Sequence, residues 1–256
     1  MKENKVIIFD YDGTLLLKGE EIISDKIKIL LKNLKDKNFL IILATGRPLN
    51  HCQYLLDENL VDYIVSANGS LVTARKRFHS IPISATKIKI FDDFCSEKNI
   101  PATFYSEDML TNGVVDNKII VGLKEAMNIN ALDLPLIDVE EVEDIYLMCA
   151  FCDESMDEQL RSSFPDMYLL RWHPFIISVL EQEVSKTNGI MESLTHHNIS
   201  PNDCIAVGDG GNDIDMLQMV GRGIAIKGNK KLMEVADYVI QSVKDELINI
   251  IEIQDF

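Results

Sequence analysis

The chain has 256 residues, enough for one large domain or two small ones with a sizeable core. Its 41 acidic residues against 25 basic ones give a net charge of −16, which argues against a nucleic acid partner, because phosphate backbones need clustered Lys and Arg. The composition is 46% hydrophobic, ordinary for a globular protein, yet no apolar run approaches the roughly 20 residues of a membrane helix.

The start, Met1-Lys2-Glu3-Asn4-Lys5, leads into only a short apolar run, Val6 to Phe9. That is too short for the apolar region of a leader peptide, so the expected location is the cytoplasm. This β-branched run reads as a buried strand and ends in loop composition at Asp10-Tyr11-Asp12-Gly13-Thr14. Ser24 is placed to cap a helix whose apolar residues Ile27, Leu30, Leu31 and Leu34 keep helical spacing. A second strand, Phe39 to Ala44, ends at Thr45-Gly46-Arg47, and Pro48 suits the first turn of the next helix. A third strand, Tyr63 to Ala67, ends at Asn68-Gly69. Strand, helix, strand, helix, strand is the pattern of a parallel α/β sheet.

After about residue 82 the pattern changes. Ser84 caps a helical stretch with Ile88, Phe91 and Cys95 on one face, and short strand-like runs follow. These are Ala102 to Tyr105, Ile119 to Val121, Ile145 to Phe151, Tyr168 to Arg171 and Phe175 to Glu181. The α/β alternation returns near residue 185, with a helix over Lys186 to His197 and a strand over Asp203 to Val207. That strand ends at Gly208-Asp209-Gly210-Gly211-Asn212-Asp213; a helix, Gly223 to Ile226, a further short helix and Tyr238 to Ile240 complete the alternation. The reading is one α/β domain with a mixed α+β module inserted in its middle. Five cysteines, an odd number in a long chain, do not make a disulfide framework, and Cys149-Ala150-Phe151-Cys152 lies in a strand-like run, so its two thiols read as core or surface residues rather than a metal site.

Polar clusters stand just past predicted strands or at a helix start: Asp10 with Asp12, Thr45, Lys186, and Asp209 with Asn212 and Asp213. In an open parallel sheet, ligands bind beyond the carboxyl ends of the strands, so the fold is expected to gather these clusters. Four aspartates in one crevice repel one another unless a cation neutralises them, and hard oxygen ligands suit Mg²⁺. Thr45, the Gly46 amide, Asn212 and Lys186 supply donors for a phosphoryl group. Arg47 either touches substrate or pairs with a neighbouring acid, and Asn68 either faces the crevice or serves the turn before Gly69.

These motifs carry a family resemblance over essentially the whole chain. Asp10-Tyr11-Asp12-Gly13-Thr14-Leu15, Ala44-Thr45-Gly46-Arg47, Ser185-Lys186 and Gly208-Asp209-Gly210-Gly211-Asn212-Asp213, in that order, resemble the four motifs of the haloacid dehalogenase-like superfamily. The long insertion between the second and third is similar to that of its Cof-type phosphatases. The chain departs from the family pattern at Thr187, at Asp215 and over 226–229, none of which is a catalytic group.

The resemblance implies a Rossmann-like parallel-sheet core over residues 1–81 and 185–256, with an inserted α+β cap domain over 82–184 acting as a lid. It implies a Mg²⁺-dependent phosphatase of a small phosphorylated metabolite, a sugar phosphate or similar, working through an aspartyl-phosphate on Asp10 with Asp12 as acid and base. Asp10, the Asp12 backbone carbonyl and Asp209 are the implied metal ligands, with Asp213 ligating the ion or orienting its waters. The expected chain is a monomer or homodimer with no nucleic acid and no membrane partner. A phosphomutase on the same chemistry and a non-catalytic phosphometabolite sensor are the competing readings.

Overall fold

Residues 5–253, apart from 140 and 143, are described by a computed structural model. The opening Met1-Lys2-Glu3-Asn4, on which the leader-peptide reading rests in part, lies outside the described residues. In chain order the first elements are β1 (Lys5–Asp10), α1 (Asp25–Asp36), β2 (Phe39–Ala44), α2 (Tyr54–Asp57), β3 (Tyr63–Ser66), β4 (Leu71–Thr73) and β5 (Arg77–Ser80). The middle of the chain adds α3 (Ala85–Glu97), β6 (Ala102–Tyr105), β7 (Met109–Thr111), α4 (Asn117–Met127), β8 (Leu147–Phe151), α5 (Asp157–Ser163), β9 (Met167–His173) and β10 (Ile176–Glu181). The last part holds α6 (Lys186–His196), β11 (Cys204–Gly208), α7 (Ile214–Met219), β12 (Arg222–Ile226), α8 (Lys230–Val235), β13 (Tyr238–Ile240) and α9 (Val243–Ile253).

Two sheets result. The larger has the order β13-β12-β11-β1-β2-β3-β4-β5, so the first and last parts of the chain share one sheet. Its strands are parallel from β13 to β3. Both faces are covered, which is why β1 and β2 read as near-continuous apolar runs. Val6 and Ile8 pack with Ile190 and Leu194 of α6, while Ile7 and Phe9 on the other face pack with Ile27 and Leu31 of α1 and Leu247 of α9. The sheet departs from the parallel expectation at one edge, where β4 and β5 run antiparallel. Their sequence gave little strand signal, because β4 is only three residues long and β5 is a half-exposed Arg-Phe-His-Ser, a protected edge with polar side chains.

The smaller sheet, order β7-β6-β8-β10-β9, is antiparallel throughout and lies wholly within the chain between β5 and α6. Its side chains alternate between two apolar layers. Ala102, Phe104, Met148, Ala150, Ile177 and Val179 face α3 and α5, with Phe91 of α3 between Phe104 and Phe164. Leu147, Cys149, Phe151, Ile176 and Leu180 face α4.

Several expectations change. Ile119 to Val121 are helical rather than strand, inside α4. Three branched apolar residues in a row suggested a strand, but Asp116 caps the segment, accepting from the amides of Lys118 (2.7 Å) and Ile119 (3.2 Å). Ile119, Leu123 and Met127 then form its buried stripe at helical spacing. Ser24 stands at the N-cap of α1, but its hydroxyl makes no cap bond. Pro48 starts only a 3₁₀ turn, Leu49–His51, ahead of the four-residue α2. The third strand stops at Ser66, because Ala67 and Asn68 take left-handed backbone angles of +47° and +56°. The described cysteines are buried and unpaired in any disulfide, as core thiols are. Among the described residues no helix is long and apolar enough to cross a membrane.

Candidate active site

Asp10 closes β1 and is aligned with Ala44 at the end of β2. The chain turns sharply there, with the Tyr11 carbonyl accepting from the amides of Leu15 (3.0 Å) and Leu16 (2.8 Å). Gly13 sits in that turn at φ +83°, where a Cβ atom would lie 2.1 Å from Asp209 Oδ2. The glycine therefore lets the loop after β1 press against the loop after β11. Gly69, at φ +105°, does the same for the turn after β3, since a Cβ there would lie 2.0 Å from the Ser185 carbonyl at the start of α6. Four motifs spread over 200 residues of sequence meet through these close approaches.

The carboxylates form a buried cluster around one ammonium. Lys186 Nζ donates to Asp10 Oδ1 at 2.5 Å and to Asp213 Oδ1 at 2.9 Å. The other Asp213 oxygen accepts from the amides of Asp209 (3.2 Å) and Gly210 (3.0 Å), so Asp213 also braces the loop. Thr14, which the sequence did not single out, donates to Asp209 Oδ1 at 3.4 Å. Burial, then the neighbouring Asp213 charge, hold the Asp10 carboxyl well above the usual carboxylate range, against the opposing pull of Lys186. The same causes push Asp209 up to about 6. Burial alone would lower Lys186, but the Asp10 and Asp213 charges outweigh it and raise the ammonium above its ordinary value. One cation is too few for three acids in a place with little water. Asp10, Asp209 and Asp213 each offer an oxygen, all within 4.8 Å of one another, and so form a group that could hold a metal ion. The uncompensated charge and the all-oxygen donor set fit a hard divalent cation.

Asp12 stands apart from this cluster. Both its oxygens accept from the Arg47 guanidinium, Oδ2 from Nε at 2.9 Å and Oδ1 from Nη2 at 2.6 Å. Of the alternatives open for Arg47, pairing with a neighbouring acid is the one observed. The same Nη2 donates to the Met127 carbonyl at 2.9 Å, so Arg47 ties Asp12 to the end of α4. The Arg47 guanidinium also lies over the Tyr11 ring, 5.3 Å from its centroid.

A cavity of about 190 Å³ opens between the two sheets. Asp10, Asp12, Gly46, Asn68, Asp209 and Asn212 line it from the parallel strand ends, and Tyr105, Met127, Leu147, Leu170, Trp172 and Ser178 line it from the opposite side. Asn68 thus both serves the turn and faces the crevice. Thr45 is buried rather than lining, its Oγ1 accepting from the Arg47 amide at 3.1 Å, and Lys186 and Asp213 are buried behind Asp10. Of the aromatic and basic side chains in the middle region, Trp172 and Tyr105 line the cavity. Arg171 is instead bound to Asp157 and the Cys152 carbonyl, and His173 lies 3.2 Å from Glu125. The alternation of β8 to β10 could have grouped Leu147, Leu170 and Ser178 on a common face. No local signal says which face meets the site.

A family model described as haloacid dehalogenase-like hydrolase matches residues 7–249. Among curated proteins, YkrA of Bacillus subtilis is 27% identical over 249 residues, covering 95% of each chain. The HMP-PP phosphatase of an Enterobacter species is 26% identical, over 91% of this chain and 87% of its own. Among solved structures, the sugar phosphatase BT4131 superposes with a TM-score of 0.80 at 26% identity, over 98% of this chain and 99% of the other. The four motifs, the two sheets and these matches agree: the chain belongs to the haloacid dehalogenase-like hydrolases, as an enzyme of their Cof-type phosphatase group.

Proposed function

We propose that the chain is a Mg²⁺-dependent phosphatase of a small phosphorylated metabolite, with Asp10 as nucleophile. One observation carries the reading: Asp10, paired with Lys186 and set among Asp209 and Asp213, borders the same cavity as Asp12. In the first step an Asp10 oxygen bonds to phosphorus while the bond from phosphorus to the leaving oxygen breaks, and the Asp12 carboxyl gives that oxygen its proton. In the second, the Asp12 carboxylate takes a proton from water as the water oxygen attacks phosphorus. This frees inorganic phosphate and restores the Asp10 carboxylate. The bidentate Arg47 contact suits Asp12 as the base of the second step. For the first, Asp12 turns from Arg47 toward the cavity.

Asp10, the Asp12 backbone carbonyl and Asp209 would hold Mg²⁺. The bonds Asp213 already makes to Lys186 and two amides favour its role in orienting the ion's waters. When bound, the ion neutralises the acids and polarises a phosphate oxygen. Thr45, the Gly46 amide, Lys186 and Asn212 are the proposed phosphate donors, Asn68 borders the substrate, and Arg47 holds Asp12. Residues 82–184 act as the lid over the core of 1–81 and 185–256, in keeping with a cavity walled by both. The enzyme works in the cytoplasm as a monomer or homodimer.

Phosphate release from a panel of phosphorylated metabolites, with and without Mg²⁺, tests the proposal. Release that needs the ion, and that falls by at least about 10⁴-fold in Asp10→Asn, is the expected result. Undiminished release by that variant would sink the aspartyl-phosphate.

A further inference from the structure

The two walls of the cavity differ in kind. Every charged group lining it is an acid of the parallel strand ends: Asp10, Asp12 or Asp209. The opposite wall, where the group carried by the phosphate must lie, has no charged side chain. Its polar atoms are already engaged. The Trp172 indole Nε1 donates to Ser178 Oγ at 2.9 Å, the Cys149 thiol lies 3.5 Å from the same hydroxyl, and the Tyr105 hydroxyl points to Met127 Sδ at 3.9 Å. What remains toward the cavity is apolar: the Trp172 face, Met127, Leu147 and Leu170.

Resting on the phosphatase reading, we propose that the leaving group is an uncharged, flat, largely apolar ring that lies against Trp172, rather than a polyhydroxylated sugar. A sugar would bring several hydroxyls against a wall whose only polar side chains are the Ser178 and Tyr105 hydroxyls and the Trp172 indole, each already bonded to a neighbour, and a buried hydroxyl without a partner is strongly disfavoured. A second anionic group would find no cation among the residues that line this cavity. An aromatic ring loses nothing on that wall and gains the stacking geometry that aromatic side chains favour.

Benzyl phosphate and glucose 6-phosphate make the comparison fairly, because both leave as primary alcohols. Acetyl phosphate, which brings almost no leaving group to read, controls for the chemistry. With Mg²⁺, kcat/KM for benzyl phosphate should exceed that for glucose 6-phosphate by about tenfold or more, mainly through KM. Trp172→Ala should lower kcat/KM for benzyl phosphate more than for acetyl phosphate, and Trp172→Phe should restore it. Trp172 is also the single tryptophan of the chain. Its emission in the Asp10→Asn variant should therefore report saturable binding of benzyl phosphate, with glucose 6-phosphate needing at least about tenfold higher concentration. Equal or better turnover and binding of glucose 6-phosphate overturns the proposal and leaves the phosphatase reading standing. No release from any of the three compounds, acetyl phosphate included, overturns the phosphatase reading and removes the basis of this one.

Discussion

The cavity joins two surfaces built on different principles. On one side the ends of parallel strands gather Asp10, Asp12, Asp209 and their partners from loops far apart in sequence. On the other, one face of an antiparallel sheet presents neutral side chains from neighbouring strands, such as Leu147, Leu170, Trp172 and Ser178. Strand ends leave loops free to place charges that a sheet face could not bury. A sheet face offers a continuous surface whose shape follows from a few side chains. The division suggests that the reaction depends on the first surface and the choice of substrate on the second.

The largest effect that would sharpen this division concerns Asp12. Asp12→Asn should lower kcat for an alkyl phosphate by about 10²–10⁴-fold. It should matter far less for acetyl phosphate, whose leaving group needs no proton. Equal losses on both would remove Asp12 from the acid role. Next is Phe91→Ala, on the far side of the antiparallel sheet. Phe91 is buried between Phe104 and Phe164, and its loss should cost about 3–5 kcal/mol in denaturant unfolding. A cost below about 1 kcal/mol would mean that the inserted sheet does not rely on this layer.

Mg²⁺ tests the charged surface directly. At a hundredfold excess over its Kd the ion should stabilise the wild type by about 2.7 kcal/mol, seen as a higher Tm. Asp209→Asn should lose most of that response, yet be no less stable without the ion, because it removes a like charge from the cluster. An unchanged Tm in the wild type would take the metal out of the site.

The smallest effect is a pH one. Burial, then the nearby Arg47 charge, lower the pKa of His51, so the folded state keeps it neutral below its ordinary value. The unfolded chain then binds the extra proton as pH falls past about 6.5, and stability drops in that direction. Between about pH 7 and 5.5, His51→Gln should lose less Tm than the wild type, by no more than about 2 °C. A steeper loss in the variant would reverse the sign of the argument.

Much of the charged surface was legible because its residues stand at element ends. Asp10 and Asp209 follow apolar runs that only a buried strand explains, and Gly13 marks the turn just after Asp10. The neutral surface was less legible. Ile119 to Val121 looked like a strand until the Asp116 cap and the buried stripe of α4 outweighed three branched residues. In the edge pair β4 is too short and β5 too polar to be seen, and Trp172 and Arg171, adjacent in one strand, point to opposite fates: one into the cavity, the other into a pair with Asp157.

By itself the sequence determined the α/β alternation, and it marked out the middle region and the candidate reacting groups on which the proposed function rests. These rest on local periodicity and on residue types that only certain chemistry requires. The tertiary structure decided that Arg47 holds Asp12 and reaches Met127, that Asp213 braces the loop beside Lys186, and that the inserted sheet turns a neutral face to the acids. Each of these is a contact between residues distant in the chain, and period or spacing along a strand says which residues share a face but never which partner that face will meet.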